Sequence, residues 1–388
     1  MKLSERALSI TPSATLSISD KAKELKAQGK PILSFSAGEP DFISPPSACR
    51  AAIEAIERGE THYTPNSGIG ELKKAVAGYY KNHFGLEYAL GEILITSGVK
   101  TMLYETIQAL VDPGDEVLLF APAWVSYLEQ IRLAGGKPVS VDTSESGFSP
   151  TLREINESVT SRTRGMIINT PNNPTGAVYS EKTLRMLADA AVEHDLWIIF
   201  DEVYERLVYG SAKHVNILQT APEIRDRVII ANGVSKAYCM TGWRIGYALG
   251  PGGVIKKIDG IQSHLTSNAS SIAQWAAAAA INEAEGDVEV CRAEFEKRRD
   301  IICGLLSGIK PLKFASPDGA FYIFIDVRDT RLPDDIEFCQ KLLEEKYVAL
   351  VPGAAFSAPG YVRLSYSCSE SDLRSGAERI REFIEARS

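Results

Sequence analysis

The sequence contains no CxxC pair. Its six cysteines, Cys49, Cys239, Cys291, Cys303, Cys339 and Cys368, stand far apart, and none has a histidine at zinc-ligand spacing. This excludes a zinc module, and the cysteines read as the reduced thiols of a cytoplasmic protein. The five histidines (His62, His83, His194, His214, His264) also lack ligand partners at helical or strand spacing, so no metal site is expected. No run reaches the ~18 apolar residues of a membrane span. The opening MKLSERALSI breaks its apolar positions with charge too early for a signal-peptide core, and a soluble chain is expected. Positive charge is scarce: 42 Lys and Arg against 50 Asp and Glu give a net charge of -8. Nucleic-acid and anionic-membrane surfaces want the opposite balance. Two phosphate motifs are missing as well. SGIGELK supplies Gly68 and Gly70 without the third glycine of GxGxxG and follows no strand, and no GxxxxGK[ST] occurs. A Rossmann dehydrogenase and a P-loop NTPase are therefore poor readings.

What is present is a long chain with enough apolar content, 45% of 388 residues, for two cores. Seven short apolar runs lie between about residues 92 and 251: EILITSG, EVLLFAPAW, KPVSVDT, RGMIINTP, LWIIFDEVY, RVIIANGVSK and WRIGYALGP. Several are continuous Val/Ile/Leu runs, as in strands buried on both faces of a mostly parallel sheet. Between them, patterns such as EKTLRMLADAAVEHD repeat near 3.6 residues and mark covering helices. The fold class is α/β, with a mostly parallel, doubly wound sheet. Residues 15–30 predict one amphipathic helix. Beyond about residue 285, long charged helices alternate with strands such as AFYIFIDV and YVRLSY. The expected division is a large domain of residues 45–285 and a smaller α+β domain of residues 1–44 and 286–388.

Ligands of open α/β sheets bind outside the carboxyl ends of the strands. Unusual polar groups follow the apolar runs there: Ser97, Gly98 and Lys100; Trp124; Asn172 and Asn173; Asp201 and Tyr204; Ser235 and Lys236. Each has an ordinary reading alone, as a turn residue, a helix cap or a solvated lysine. Together, in strand-end positions, they predict one pocket.

The segments TPNNPTG, FDEVYE and NGVSKAYCMTGWRIG resemble the class I, fold-type I aminotransferases that use pyridoxal 5'-phosphate (PLP). The similarity runs from SAGEPD and HYTPNSGIGELK through to SPDGAFY and YVRLSY, and is strongest to the bacterial aspartate aminotransferase subgroup with PSAT near its start. The resemblance implies that Lys236 carries PLP as a Schiff base and moves the substrate proton. It implies that Asp201 faces the pyridine nitrogen, Tyr204 and Asn173 the phenolic oxygen, and Trp124 the ring face. Ser97, Gly98, Ser235 and Arg244 would hold the phosphate. Tyr63 would reach the phosphate of a neighbouring subunit, making a homodimer with shared active sites. The sequence departs from the commoner Ser-x-Ser-Lys pattern at Gly233, and Cys239 stands where a smaller or amide residue is usual.

For substrates, the resemblance implies that Arg363 grips the α-carboxylate of an amino or 2-oxo acid, with Gly38 beside it. Lys100 and Thr15 would contact a distal carboxylate. That favours L-aspartate and L-glutamate, with oxaloacetate and 2-oxoglutarate as partners. Some relatives with this pair also transaminate prephenate, so a bifunctional aspartate/prephenate enzyme is one alternative; an aromatic aminotransferase or a β-lyase on the same fold is another. A PLP-sensing regulator is a third class, but the aminotransferase-like segments begin within ~15 residues of the start and leave no DNA-binding domain before them.

Overall fold

The computed structural model describes residues 1–10 and 14–387, without the side chains of Arg6, Ser9, residues 14–17 and Ser19. Its strands are β1 Leu33–Ser34, β2 Ile93–Thr96, β3 Glu116–Ala121, β4 Lys137–Asp142, β5 Thr163–Asn169, β6 Trp197–Asp201, β7 Val228–Gly233, β8 Gly246–Leu249, β9 Tyr322–Asp326, β10 Val348–Ala349, β11 Val351–Pro352 and β12 Tyr361–Ser365. All seven apolar runs are strands of one sheet, in the order β2-β8-β7-β6-β5-β3-β4. β8 alone is antiparallel to its neighbours. The other pairs are parallel. Two antiparallel steps around β8 leave β2 parallel to β7. The carboxyl ends of β2, β3, β5, β6 and β7 therefore meet at one edge, joined there by the amino end of β8.

The strand side chains alternate between two apolar layers, the period-2 consequence of the pleat. Leu118, Phe120, Met166, Ile168, Ile198, Phe200 and Ile230 enter one core. Their neighbours Val117, Leu119, Ile167, Ile199, Ile229 and Ala231 enter the other, against helix Val99–Leu110. Burial on both faces is why these runs read as apolar throughout rather than alternating.

A second sheet, β11-β12-β9, is antiparallel. It packs with helices Glu285–Ser307, Asp335–Lys346 and Glu370–Glu385 around Phe295, Phe321, Phe338, Leu364 and Phe383. Phe35 joins this core from the N-terminal segment, and Tyr204, Leu207 and Tyr209 join it from the loop after β6. β1 pairs in parallel with β10, and the Ser365 amide donates to the Phe35 carbonyl (2.9 Å), so SAGEPD lies beside YVRLSY. The helix expected over residues 15–30 runs Ala14–Ala27 and closes in a turn at Gln28 and Gly29. All six cysteines are free. No helix among the described residues is long and apolar enough to cross a membrane.

Candidate active site

A cavity of about 400 Å³ opens at the common strand edge and runs up to the second sheet. It is lined by Gly38, Lys100, Trp124, Asn173, Asp201, Tyr204, Ser235, Lys236, Arg244 and Arg363, each singled out from the sequence. Val99, Tyr127, Asn169, Val203, Thr241 and Tyr322 complete the wall.

Asp201 ends β6 at the floor of the cavity and is 2% exposed. One carboxylate oxygen accepts from the Tyr127 hydroxyl (2.6 Å), the other from the Val203 amide (3.2 Å). Asn169 donates its Nδ2 to the Asp201 carbonyl (3.1 Å). Burial pushes the Asp201 carboxyl up to about 6, and the Tyr127 bond holds it back from rising further. No Lys, Arg or His among the described residues forms an ion pair with it. The Lys236 charge favours the carboxylate from nearby without forming an ion pair, and a cationic ligand group in direct contact would relieve more of the cost of burying it.

Lys236 follows β7 on a short loop, facing the same floor. Its ammonium donates to the Gly38 carbonyl (2.5 Å) and lies 5.9 Å from the centre of the Tyr204 ring. Burial lowers its pKa to about 8; the Glu39 carboxylate opposes that shift, while Arg363 and Arg244 add to it. Near neutrality a useful fraction of this amine can shed its proton, as a nucleophile or proton carrier must.

At the other end, Gly98 caps helix Val99–Leu110 with φ 94°, a conformation that strains any residue with a Cβ. A Cβ there would also lie 2.4 Å from the Arg244 guanidinium. The Thr101 amide already donates to the Gly98 carbonyl (3.0 Å), whereas the Val99 and Lys100 amides precede the first helical bond and suit an anion cradle beside that arginine. Ser97 lies just outside the main cavity, in an adjoining groove that it shares with Thr241 and Arg244. Gly233 is where the sequence lacks a hydroxyl found more widely, and the structure gives a steric reason. It pairs with Gly246 across β7 and β8, and a Cβ on Gly233 would lie 2.8 Å from the Ile245 carbonyl and 2.9 Å from Val99 Cγ2. A Cβ on Gly246 would meet the Val99 amide at 2.4 Å. The two glycines let the helix start press onto the sheet, which puts the cradle next to Lys236.

Arg363, on β12, is 2% exposed. Its Nη1 donates to Asn173 Oδ1 (2.9 Å) and its Nη2 to the Ser36 carbonyl (2.7 Å). Its Nε has no partner, and no carboxylate among the described residues pairs with it. This buried cation calls for an anion from outside. Asn173 is held in turn through its amide, which donates to Asn169 Oδ1 (2.9 Å).

Toward the mouth, Lys100 is exposed, with its ammonium 5.0 Å from the centre of the Trp124 ring. Partial burial, helped by the Arg244 charge, lowers its pKa. Tyr63 is 91% exposed and outside the cavity. The side chain of Thr15 lies outside the described residues. Asn172 stays in the turn: its Oδ1 accepts from the Thr175 amide (3.1 Å) and hydroxyl (2.8 Å). Sequence reasoning missed Tyr127, Asn169 and Tyr322. Asn169 ends the apolar run RGMIIN and was available to the same strand-end logic, whereas Tyr127 and Tyr322 sit inside a helix and a strand and carried no local signal.

The family model for class I and II aminotransferases matches residues 30–380. Across its full length the chain is 46% identical to an aspartate aminotransferase of Geobacillus stearothermophilus, covering all of that protein. It is 42% identical over 98% of both chains to an aspartate/prephenate aminotransferase of Thermus thermophilus. Among solved structures, the aspartate aminotransferase of Rhizobium meliloti matches with a TM-score of 0.96 at 39% identity over 100% of both chains. The Thermus thermophilus enzyme with maleate matches at 0.94 and 41%, over 98% of this chain and 99% of that one. The chain belongs to the class I and II aminotransferases.

Proposed function

We propose that this enzyme moves the amino group between L-aspartate or L-glutamate and the matching 2-oxo acids in a ping-pong cycle, with PLP held on Lys236. One observation carries the reading: among the described residues the cavity presents a buried carboxylate in no ion pair, Asp201, and a buried cation in no ion pair, Arg363, and the charges of both act on Lys236. Such a pair suits a cofactor with a cationic ring nitrogen and a substrate with an anionic end. The cradle of Gly98, Val99 and Arg244, with Ser97 and Ser235, suits the phosphate. PLP, when bound, supplies an electron sink for the pair left when the substrate Cα loses its proton.

The protein's own groups do the rest. Asp201 holds a proton on the ring nitrogen. Tyr204 and Asn173 would donate to the phenolic oxygen of the cofactor, and Trp124 would cover its ring. Lys236, once its amine is free, would carry the proton taken from the substrate Cα. Arg363 and Gly38 hold the α-carboxylate and orient the Cα–H bond toward the amine. Lys100 and Thr15 take the distal carboxylate. Because Lys100 stands at an open mouth, a bulkier dicarboxylate such as prephenate is the second substrate we propose. Tyr63 completes the phosphate site of a partner subunit in a homodimer, and its exposed phenol suits that task. The two units proposed, residues 45–285 and residues 1–44 with 286–388, enclose the cavity between them in a cytoplasmic enzyme.

The test is to load purified enzyme with PLP and add L-aspartate, L-glutamate, L-tyrosine or L-cysteine separately, following absorbance and product. Aspartate and glutamate should convert the cofactor to its amine form and release a 2-oxo acid. If aspartate leaves the spectrum unchanged while another donor converts it, the specificity is wrong. Ammonia and pyruvate from cysteine would indicate a lyase.

A further inference from the structure

We infer that Tyr322 is a positioning residue for this reaction, its hydroxyl setting the Tyr204 hydroxyl and its ring seating the Arg363 guanidinium. The inference rests on the roles proposed above for Tyr204 and Arg363. Tyr322 opens β9 and is fully buried. Its hydroxyl lies 2.9 Å from that of Tyr204, and the Arg363 guanidinium carbon stands 4.5 Å from its ring centre. The same hydroxyl lies so close to Gly38 that a Cβ there would be 2.6 Å away. One phenol thus touches the residue assigned to the cofactor oxygen, the residue assigned to the substrate carboxylate, and the SAGEPD loop.

Two phenols joined by one hydrogen bond use one proton in it and have one to spare. Burial raises the pKa of both, so both protons are present at working pH. If Tyr204 donates to the cofactor oxygen, Tyr322 must donate to Tyr204. Accepting that bond polarises the Tyr204 hydroxyl and strengthens the bond it donates onward. The ring has a separate task. It presents its negative face to a buried cation that no carboxylate pairs, and so holds the guanidinium ready for substrate.

Two substitutions separate these tasks. Tyr322→Phe removes the hydroxyl and keeps the ring; Tyr322→Leu removes both. The first readout is the pH midpoint of the visible absorbance of PLP-loaded enzyme. The charged groups facing Lys236 are Asp201, Glu39, Arg244 and Arg363, and neither substitution changes them. In Tyr322→Phe the midpoint should move up by as much as about one pH unit, the scale of one neutral hydrogen bond. In a Tyr204→Phe background it should move no further. The second readout is maleate affinity. It should stay within about two-fold in Tyr322→Phe and weaken about 2- to 30-fold in Tyr322→Leu, the range of a cation–π contact. If the leucine variant does not fold, Tyr322→Met repeats that arm. An unmoved midpoint in Tyr322→Phe, an equal shift in the Tyr204→Phe background, or equal loss of maleate affinity in both variants overturns the inference alone. If unsubstituted enzyme with PLP gives no such absorbance, the functional reading beneath it falls too.

Discussion

The floor of the cavity and its mouth are built differently. From the floor up to the second sheet, Asp201, Tyr127, Tyr204, Asn173 and Arg363 are buried, and each is fixed by a residue from another element. At the mouth Lys100 is exposed, and its fixed side-chain contact is a ring face; Arg244, exposed at the cradle, is held by the Thr241 carbonyl (2.9 Å). A buried charge keeps its full electrostatic strength and must be held rigidly, whereas an exposed one is screened by water and salt. On the roles proposed, the buried groups carry the chemistry and Lys100 at the mouth the choice of substrate.

The contrast predicts a ranking of losses. Lys236→Ala should lower the aspartate turnover rate by more than about 10^4-fold, because nucleophile and proton carrier vanish together; single-turnover absorbance measures it. Asp201→Ala should cost about 10²- to 10³-fold in turnover, the scale of losing one preorganised electrostatic group. Arg363→Leu should lower kcat/KM by about 10²-fold, since it removes a bidentate donor and strands Asn173 Oδ1. Lys100→Ala should raise the KM for aspartate by only about ten-fold and leave an apolar donor unaffected. Half-molar salt should erase most of that difference but little of the Arg363 effect. A Lys100 loss as large and as salt-resistant as that of Arg363 would break the comparison.

The pH dependence sharpens it. The Lys236 amine is uncharged above about 8, so PLP should load onto apoenzyme faster as pH rises through that value. The apoenzyme's Asp201 carboxyl gains a proton below about 6, so PLP affinity should fall as pH drops below it. A titration of loading rate and affinity checks both signs.

Most of the floor was legible because strand ends announce themselves: an apolar run stops, and the polar residue after it sits at the sheet edge. Asp201, Asn173 and Lys236 were found that way. Tyr127 lies in helix Val125–Leu133 and Tyr322 within a core strand, so both read as packing. Their hydroxyls matter only because Asp201 and Tyr204 come to them from 74 and 118 positions away. Gly233 is the reverse case: from the sequence it is a missing hydroxyl, and in the fold it is the space that lets a helix start approach.

The sequence alone determined the elements and their class, since strand and helix periodicities and the polar residues at strand ends are local properties of the chain. Tertiary structure decided which charges would be buried outside any ion pair among the described residues. Whether Asp201 and Arg363 form ion pairs depends on every element that packs around them, and no stretch of sequence contains those neighbours together.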